Sequence, residues 1–394
     1  MMMTTSSDAN RVIAARQMPF LIVGVLGLVA WAALGHGSMQ FFRSYLFAFE
    51  FCVSFPLGCL AILMVHHLTG GWWGLPIRRV LEAGSRTFPL MTVLFLPLIF
   101  GLPKIYDWAQ PDMVAADDIP KMKQWYLNQP GFIIRAAVYF AIWNLLTYIL
   151  NRMSREQDRT GDPALAGRMS ALSGPGIILW ALCVSGAAVD WVMSLEPHWF
   201  STIYGFLFIV FDLLVALSFS IFVVRMLSDR EPIKGSVEPS TLLDLGNLTL
   251  AFVLLMTYLS FDQLLIIWAG NLKNEIPWYT QRVFGSWAFV AVILIVLHFF
   301  VPFFLLLQRG VKRRLRVLST VSISLIAISL VNMYWIMEPA YDVSGPRFHP
   351  LDLCALAGIG GLWLWAFFGQ LKKLPLLPLH DTRFAAVLEP EHGD

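Results

Sequence analysis

Charge is what this sequence has least of. Only 14% of its 394 residues are Asp, Glu, Lys or Arg, 57% are hydrophobic, and the mean hydropathy is +0.66. Soluble domains carry about 25% charged residues, so a water-soluble globular fold is excluded. Cysteine is scarce as well. Cys52, Cys59, Cys183 and Cys354 all fall within apolar runs, and none forms Cys-x-x-Cys or Cys-x-x-Cys-His. That pattern excludes covalent haem attachment and cysteine-ligated iron–sulfur clusters; the thiols read as small buried hydrophobes. Also missing are the glycine-rich loops that cradle nucleotide phosphates, a His and carboxylate spacing suited to zinc, and any assembled Ser-His-Asp or Cys-His set. A bis-histidine haem needs two facing histidines at one depth. His298 is the single mid-span histidine, and the adjacent His66 and His67 point in different directions. The sequence offers no redox centre of its own.

What is present is apolar length. Ten runs of about 20 residues, enough to cross a bilayer, cover Met18–Leu34, Tyr45–His67, Thr87–Pro103, Phe132–Asn151, Ala171–Met193, Phe200–Leu227, Leu245–Ala269, Val283–Gln308, Val317–Met337 and Leu351–Leu371. They are continuously apolar, which suits helices with internally satisfied backbones; barrel strands would show shorter alternating segments. The expected fold is an all-α polytopic membrane protein, a single membrane domain over residues 1–394 with a tail at 372–394. The first span has the outline of a signal peptide, with Arg11 and Arg16, an apolar core and Ala30-Trp31-Ala32. It is expected to remain as an anchor helix.

An even number of spans places both termini on one side. The segments on that side hold 20 of the 28 Lys and Arg, and those on the other hold 7. Arg135 lies inside the fourth span near its outer end, where it is expected to snorkel outward. By the positive-inside rule both termini face the cytoplasm.

Two loops stand out. Trp72–Phe88 suits a short interfacial helix on the inner face, its tryptophans and arginines at head-group level. The outer loop Lys104–Pro130 carries Asp107, Asp112, Asp117 and Asp118 with Trp108, Trp125 and Tyr126. It reads either as a solvated loop with an aromatic belt or as a docking surface for an external subunit. There is also an internal echo. Span five ends Trp191-Val-Met193-Ser-Leu-Glu196-Pro197 and span nine ends Trp335-Ile-Met337-Glu338-Pro339. Duplication of a four-helix unit, residues 45–193 and 200–337, flanked by spans 18–34 and 351–371, would explain it.

Ionisable residues inside apolar runs are costly and mark candidate sites. Asp212 and His298 lie near mid-span, Glu50 and Asp262 in outer halves, and Asp190 about a turn from the end of span five. Glu196 and His198 follow in the outer hairpin, while His66 and His67 close span two on the inner side. One reading is a proton route, with Glu50, Asp190, Glu196, His198 and Asp262 as an outer half and Asp212, His298 and His66 or His67 as the rest. The other is structural: Glu196 before Pro197 as a helix cap, His298 bonded to a neighbouring helix, and each acid partnered inside a bundle.

Three stretches carry a resemblance. Asp-Trp-Val-Met-Ser-Leu-Glu-Pro-His-Trp-Phe-Ser-Thr-Ile-Tyr-Gly (190–205), Ile-Arg-Arg-Val-Leu-Glu-Ala-Gly-Ser-Arg-Thr-Phe-Pro-Leu (77–90) and Ser-Phe-Asp-Gln-Leu-Leu-Ile-Ile-Trp-Ala-Gly-Asn-Leu-Lys-Asn-Glu-Ile-Pro-Trp-Tyr (260–279) resemble the ActF family. These are NrfD/PsrC-like integral membrane subunits of bacterial alternative complex III. With the ten-span plan, the likeness runs over nearly the whole chain. The resemblance implies two four-helix bundles plus two flanking helices in a bacterial inner membrane. It implies a complex that oxidises menaquinol or ubiquinol and passes electrons to a periplasmic cytochrome c or an oxidase. The implied partners are an ActC-like membrane sister, multihaem cytochrome c and iron–sulfur subunits holding the haem c and clusters, and a terminal oxidase. No nucleic acid is expected among them. This chain would carry no cofactor and act as a redox-inactive partner with proton half-channels. Two alternatives stay open: a quinol-binding anchor with the site in this chain, Asp190 and Glu50 being nearest, and a proton-coupled secondary transporter.

Overall fold

The computed structural model describes residues 8–35, 38–110, 112, 121–235 and 237–378. Asp117 and Asp118 of the acidic loop, and the tail from 379 onward, lie outside the described residues. Among the described residues there are ten helices long and apolar enough to cross a membrane, and no strand. In chain order the helices are α1 (Asp8–Gly35), α2 (Met39–Thr69), α3 (Leu75–Ser85), α4 (Phe88–Ile105), α5 (Gln129–Thr160), α6 (Ala164–Ala187), α7 (Tyr204–Leu227), α8 (Pro239–Gly270), α9 (Ile276–Val283), α10 (Trp287–Leu307), α11 (Leu315–Met337) and α12 (Pro350–Leu371). All ten expected spans are present, and several run further into polar sequence than hydropathy suggests. α5 is one case: the Asn128 side chain accepts from the Gly131 N–H at its start, and it continues past Asn151 until Gly161 closes it at φ 68°. A left-handed residue there suits glycine.

Two helices change pitch. α6 widens into a π-helical segment, Ala188–Val192, then tightens into a 3₁₀ turn, Met193–Leu195. α10 is π-helical over Ile295–Phe300. Pro302, just beyond, has no N–H to give and its ring crowds the carbonyl four residues back, which is that of His298. Such widened turns recur at functional sites. Asp190 and His298, both singled out from sequence, sit inside these two segments.

The spans close into two rings. α2, α4, α5 and α6 each pack on the next, and α6 returns to α2; α7, α8, α10 and α11 do the same. α2 and α7 pack against each other, α11 touches α2, α12 covers α2, and α1 lies on α12. The α1–α12 crossing is set by glycines: a Cβ on Gly27 would stand 2.5 Å from the Gly358 nitrogen, and one on Gly361 as close to that of Gly24. Small residues let backbones approach where lipid supplies no hydrophobic drive between helices. Rings of Phe49, Phe95, Phe140, Trp143 and Trp191 fill the first ring's interior, with centroids 4.9 to 6.0 Å apart. The end carrying both described chain ends is here called the basic end, the other the aromatic end.

α3 departs from expectation. Its arginines are enclosed by protein instead of facing outward: Arg78, Arg79 and Glu82 are buried, and α3 wedges against α2, α7 and α12. Only Trp72, before it, stays half exposed. Arg78 donates to Glu82 at 3.0 Å, to Ser154 at 3.1 Å and to Gln157 at 3.0 Å. Arg79 donates to the other Glu82 oxygen at 2.7 Å and to Asp158. Burial would raise the Glu82 carboxyl, but the fields of Arg79, Arg78 and Arg86 outweigh it and hold it far below the usual carboxylate range. The polar extension of α5 supplies Ser154, Gln157 and Asp158, so the charged helix is solvated by protein. That is why it can be buried.

Candidate functional site: an acidic seam between the two rings

The seam is the contact of α2 with α7, which run in the same direction. Gly58 makes it tight: a Cβ there would lie 1.9 Å from the carbonyl oxygen of Asp212 and 2.6 Å from the Ala216 Cβ. Glu50, Ser54 and Gly58 recur every four residues on α2, as do Tyr204, Phe208, Asp212 and Ala216 on α7, so each set shares a face. Glu50 is 4% exposed and Asp212 3% exposed. Glu50 Oε1 and Asp212 Oδ2 have no hydrogen-bond partner. The expectation that every interior acid finds a partner fails here. Both residues are buried on the helices that form the seam, with no donor placed on those oxygens.

Asp190 is the opposite case. Its carboxylate takes Arg135 Nε at 2.9 Å, Arg135 Nη2 at 2.8 Å and the Tyr139 hydroxyl at 2.9 Å. Arg135 also reaches toward the aromatic end, where it stacks on Tyr126 with 3.8 Å to the ring centroid and donates to the Tyr126 carbonyl at 3.1 Å. Tyr106 lies between the two acid sites. Its hydroxyl donates to the Trp191 carbonyl at 2.8 Å. Burial pushes its phenol up, and the charges of Tyr341, Glu50 and Asp190 add to this. Tyr106 thus lies within the fields of both Glu50 and Asp190.

The remaining candidates lie elsewhere. Glu196 is not a helix cap, because no helix starts at Pro197; it accepts from Arg282 Nη2 instead. Arg282, 1% exposed, also donates to the carbonyls of Trp278 at 2.9 Å and Ile336 at 2.8 Å. Trp199 stacks on Trp278 at 4.7 Å. The hairpin of the first ring is in this way stitched to the second. His198 is exposed. Asp262 is half-buried on α8 beside the exposed Phe261, away from the seam. His298 Nε2 lies 3.3 Å from Ser329 Oγ on α11, the structural alternative foreseen for it. His66 and His67 are buried at the basic end, where His66 packs edge-on to Trp73 and fills the space a Cβ on Gly74 would need. In the acidic loop, Trp108 is buried on Tyr106 and Phe132, and Trp125 is exposed.

Sequence reasoning missed the Arg78–Arg79–Glu82 cluster as a buried site, and Asp352 altogether. Asp352 completes a capping box with His349 and accepts from Ser44 on α2. Charges three and four residues apart in 78–82, repeated as Ser154, Gln157 and Asp158, were the available sign. Among the described residues no His, Cys, Asp and Glu group is arranged to hold a metal ion. Compared with protein-family models and with curated proteins, the chain matches none.

Proposed function

We propose that this chain is a redox-inactive membrane subunit of a quinol-oxidising respiratory complex of the alternative complex III kind, and that its acidic seam passes protons. It would sit in a bacterial inner membrane with both termini cytoplasmic, beside a membrane sister and haem- and cluster-bearing subunits. The observation that carries the proton role is the pair Glu50 and Asp212, buried at the joint of two rings with open carboxylate oxygens. Intramembrane acids facing a bundle interior are the usual elements of proton relays. The subunit reading rests on the three stretches resembling ActF. Two of them, 190–205 and 260–279, meet where the rings are stitched through Glu196, Trp199 and Trp278. The third, 77–90, forms the buried charged helix. All three belong to scaffold, which suits a supporting subunit. Affinity purification in mild detergent tests this reading: multihaem and iron–sulfur subunits should co-purify, and a stable homo-oligomer without them would count against it.

A second reading is favoured by one cavity. About 240 Å3 in size, it opens at the aromatic end between Lys123, Tyr126, Met193, Pro197 and Trp199. A quinol ring could stack there. Its size falls below the ~300 Å3 of common ligand sites, and the ring beside it is filled with aromatic side chains. A quinone analogue protecting Trp199 fluorescence from quenching in the isolated chain would favour this reading.

A further inference from the structure

At the basic end of the second ring a cavity of about 450 Å3 opens between the end of α7, the start of α8 and the start of α11. Arg225, Arg314 and Arg316 line it, above an apolar floor of Ile233, Leu242 and Leu315. One carboxylate lines it too: Asp229, which Arg225 engages at 2.9 Å. Three guanidinium groups against one carboxylate leave the cavity cationic. Arg314 and Arg316 are exposed, free to turn toward an anion. Arg314 also stands at the start of α11, whose first turn has no side-chain cap, so the N–H groups of Leu315 and Val317 add to the positive field. The three helix termini meet at the basic end of spanning helices, where a bilayer would present its lipid head groups. An apolar floor under a cationic rim fits a ligand with a charged head and a greasy end.

We propose that this cavity binds a phosphate-bearing anion, in the membrane the head group of an anionic phospholipid. The phosphate pairs with Arg314 and Arg316, and the start of an acyl chain rests on Ile233, Leu242 and Leu315. Guanidinium groups bind phosphate through paired N–H donors, and basic pockets between spanning helices select anionic lipids.

The test titrates the purified full-length chain in detergent with phosphatidylglycerol and phosphatidylcholine, reading binding by native mass spectrometry. Phosphatidylglycerol should bind roughly tenfold tighter or more. The R314Q/R316Q double variant should lose most of that preference. D229N, which removes the opposing carboxylate and frees Arg225, should bind tighter than the wild type, a gain that misfolding cannot produce. A competition arm with millimolar inorganic phosphate separates the sources: displacement points to a free phosphate compound, and no displacement to the lipid. Equal binding of the two lipids, or a double variant within twofold of wild type, would overturn the proposal.

Discussion

At the basic end, Glu82 sits between two arginines, and each of its oxygens is taken by a donor within 3.0 Å. In the seam, Glu50 and Asp212 are buried almost as deeply and each keeps an open oxygen. Both regions place acids where water is scarce, and they handle them in opposite ways. Burying a charge is tolerable when its partners are built in, and removing one partner then strands the other. An acid left without a partner gains the fold nothing, so its presence asks for a role other than stability. The contrast separates charges that hold the molecule together from charges free to exchange a proton.

The sharpest way to break the comparison is at its paired pole. Glu82→Ala would take from buried Arg78 and Arg79 the carboxylate they share, Arg79 keeping Asp158, and cost about 3–5 kcal/mol, read as a lowered unfolding midpoint in detergent. A loss under about 1 kcal/mol would show that the cluster is not the anchor described. Its pH dependence has a fixed sign. The Glu82 carboxyl is held below its unfolded range, so its stabilisation is present above the unfolded value of 4.5. It is lost as pH falls below that and on through the lower folded value. Glu82→Gln should flatten that acid limb, and an unchanged limb would argue otherwise.

Gly58→Ala comes next. Its new Cβ must push α2 off the Asp212 carbonyl, an overpacking cost of about 1–3 kcal/mol, seen in thermal unfolding; no measurable loss would mean that the seam is looser than drawn. Glu196→Gln weakens the stitch between the rings while Arg282 keeps its two carbonyl partners. About 1–2 kcal/mol is expected, and a double-mutant cycle with Arg282→Gln should show coupling. Additive effects would mean that the stitch is incidental.

The ten spans were legible because each carries about 20 apolar residues, a property of the chain alone. The polar half of α5 was not, because Arg152 to Thr160 reads as a loop until Glu82 and its arginines arrive to bind it. The same long-range pairing explains why α3 is buried: a charged amphipathic helix reads as surface-lying by composition, and Ser154, Gln157 and Asp158 supply the partners that burial needs. At the site, Glu50, Asp190 and Asp212 were visible as acids inside apolar runs. Which of them is locked depended on Arg135 pairing with Asp190 and on Gly58 admitting α7, and neither contact has a local sequence mark. Glu196 read as a cap because Pro197 follows it, whereas its partner stands 86 residues away.

The smallest expected effect on stability is also the most direct test of the account. Glu50→Gln and Asp212→Asn remove no partner from any other group, so each should leave unfolding within about 0.5 kcal/mol of wild type. In the assembled complex reconstituted into liposomes, the same two variants should keep their subunit composition and lose most of the proton movement that accompanies quinol oxidation. Wild-type proton movement in both variants would contradict the central claim and make the seam a passive joint.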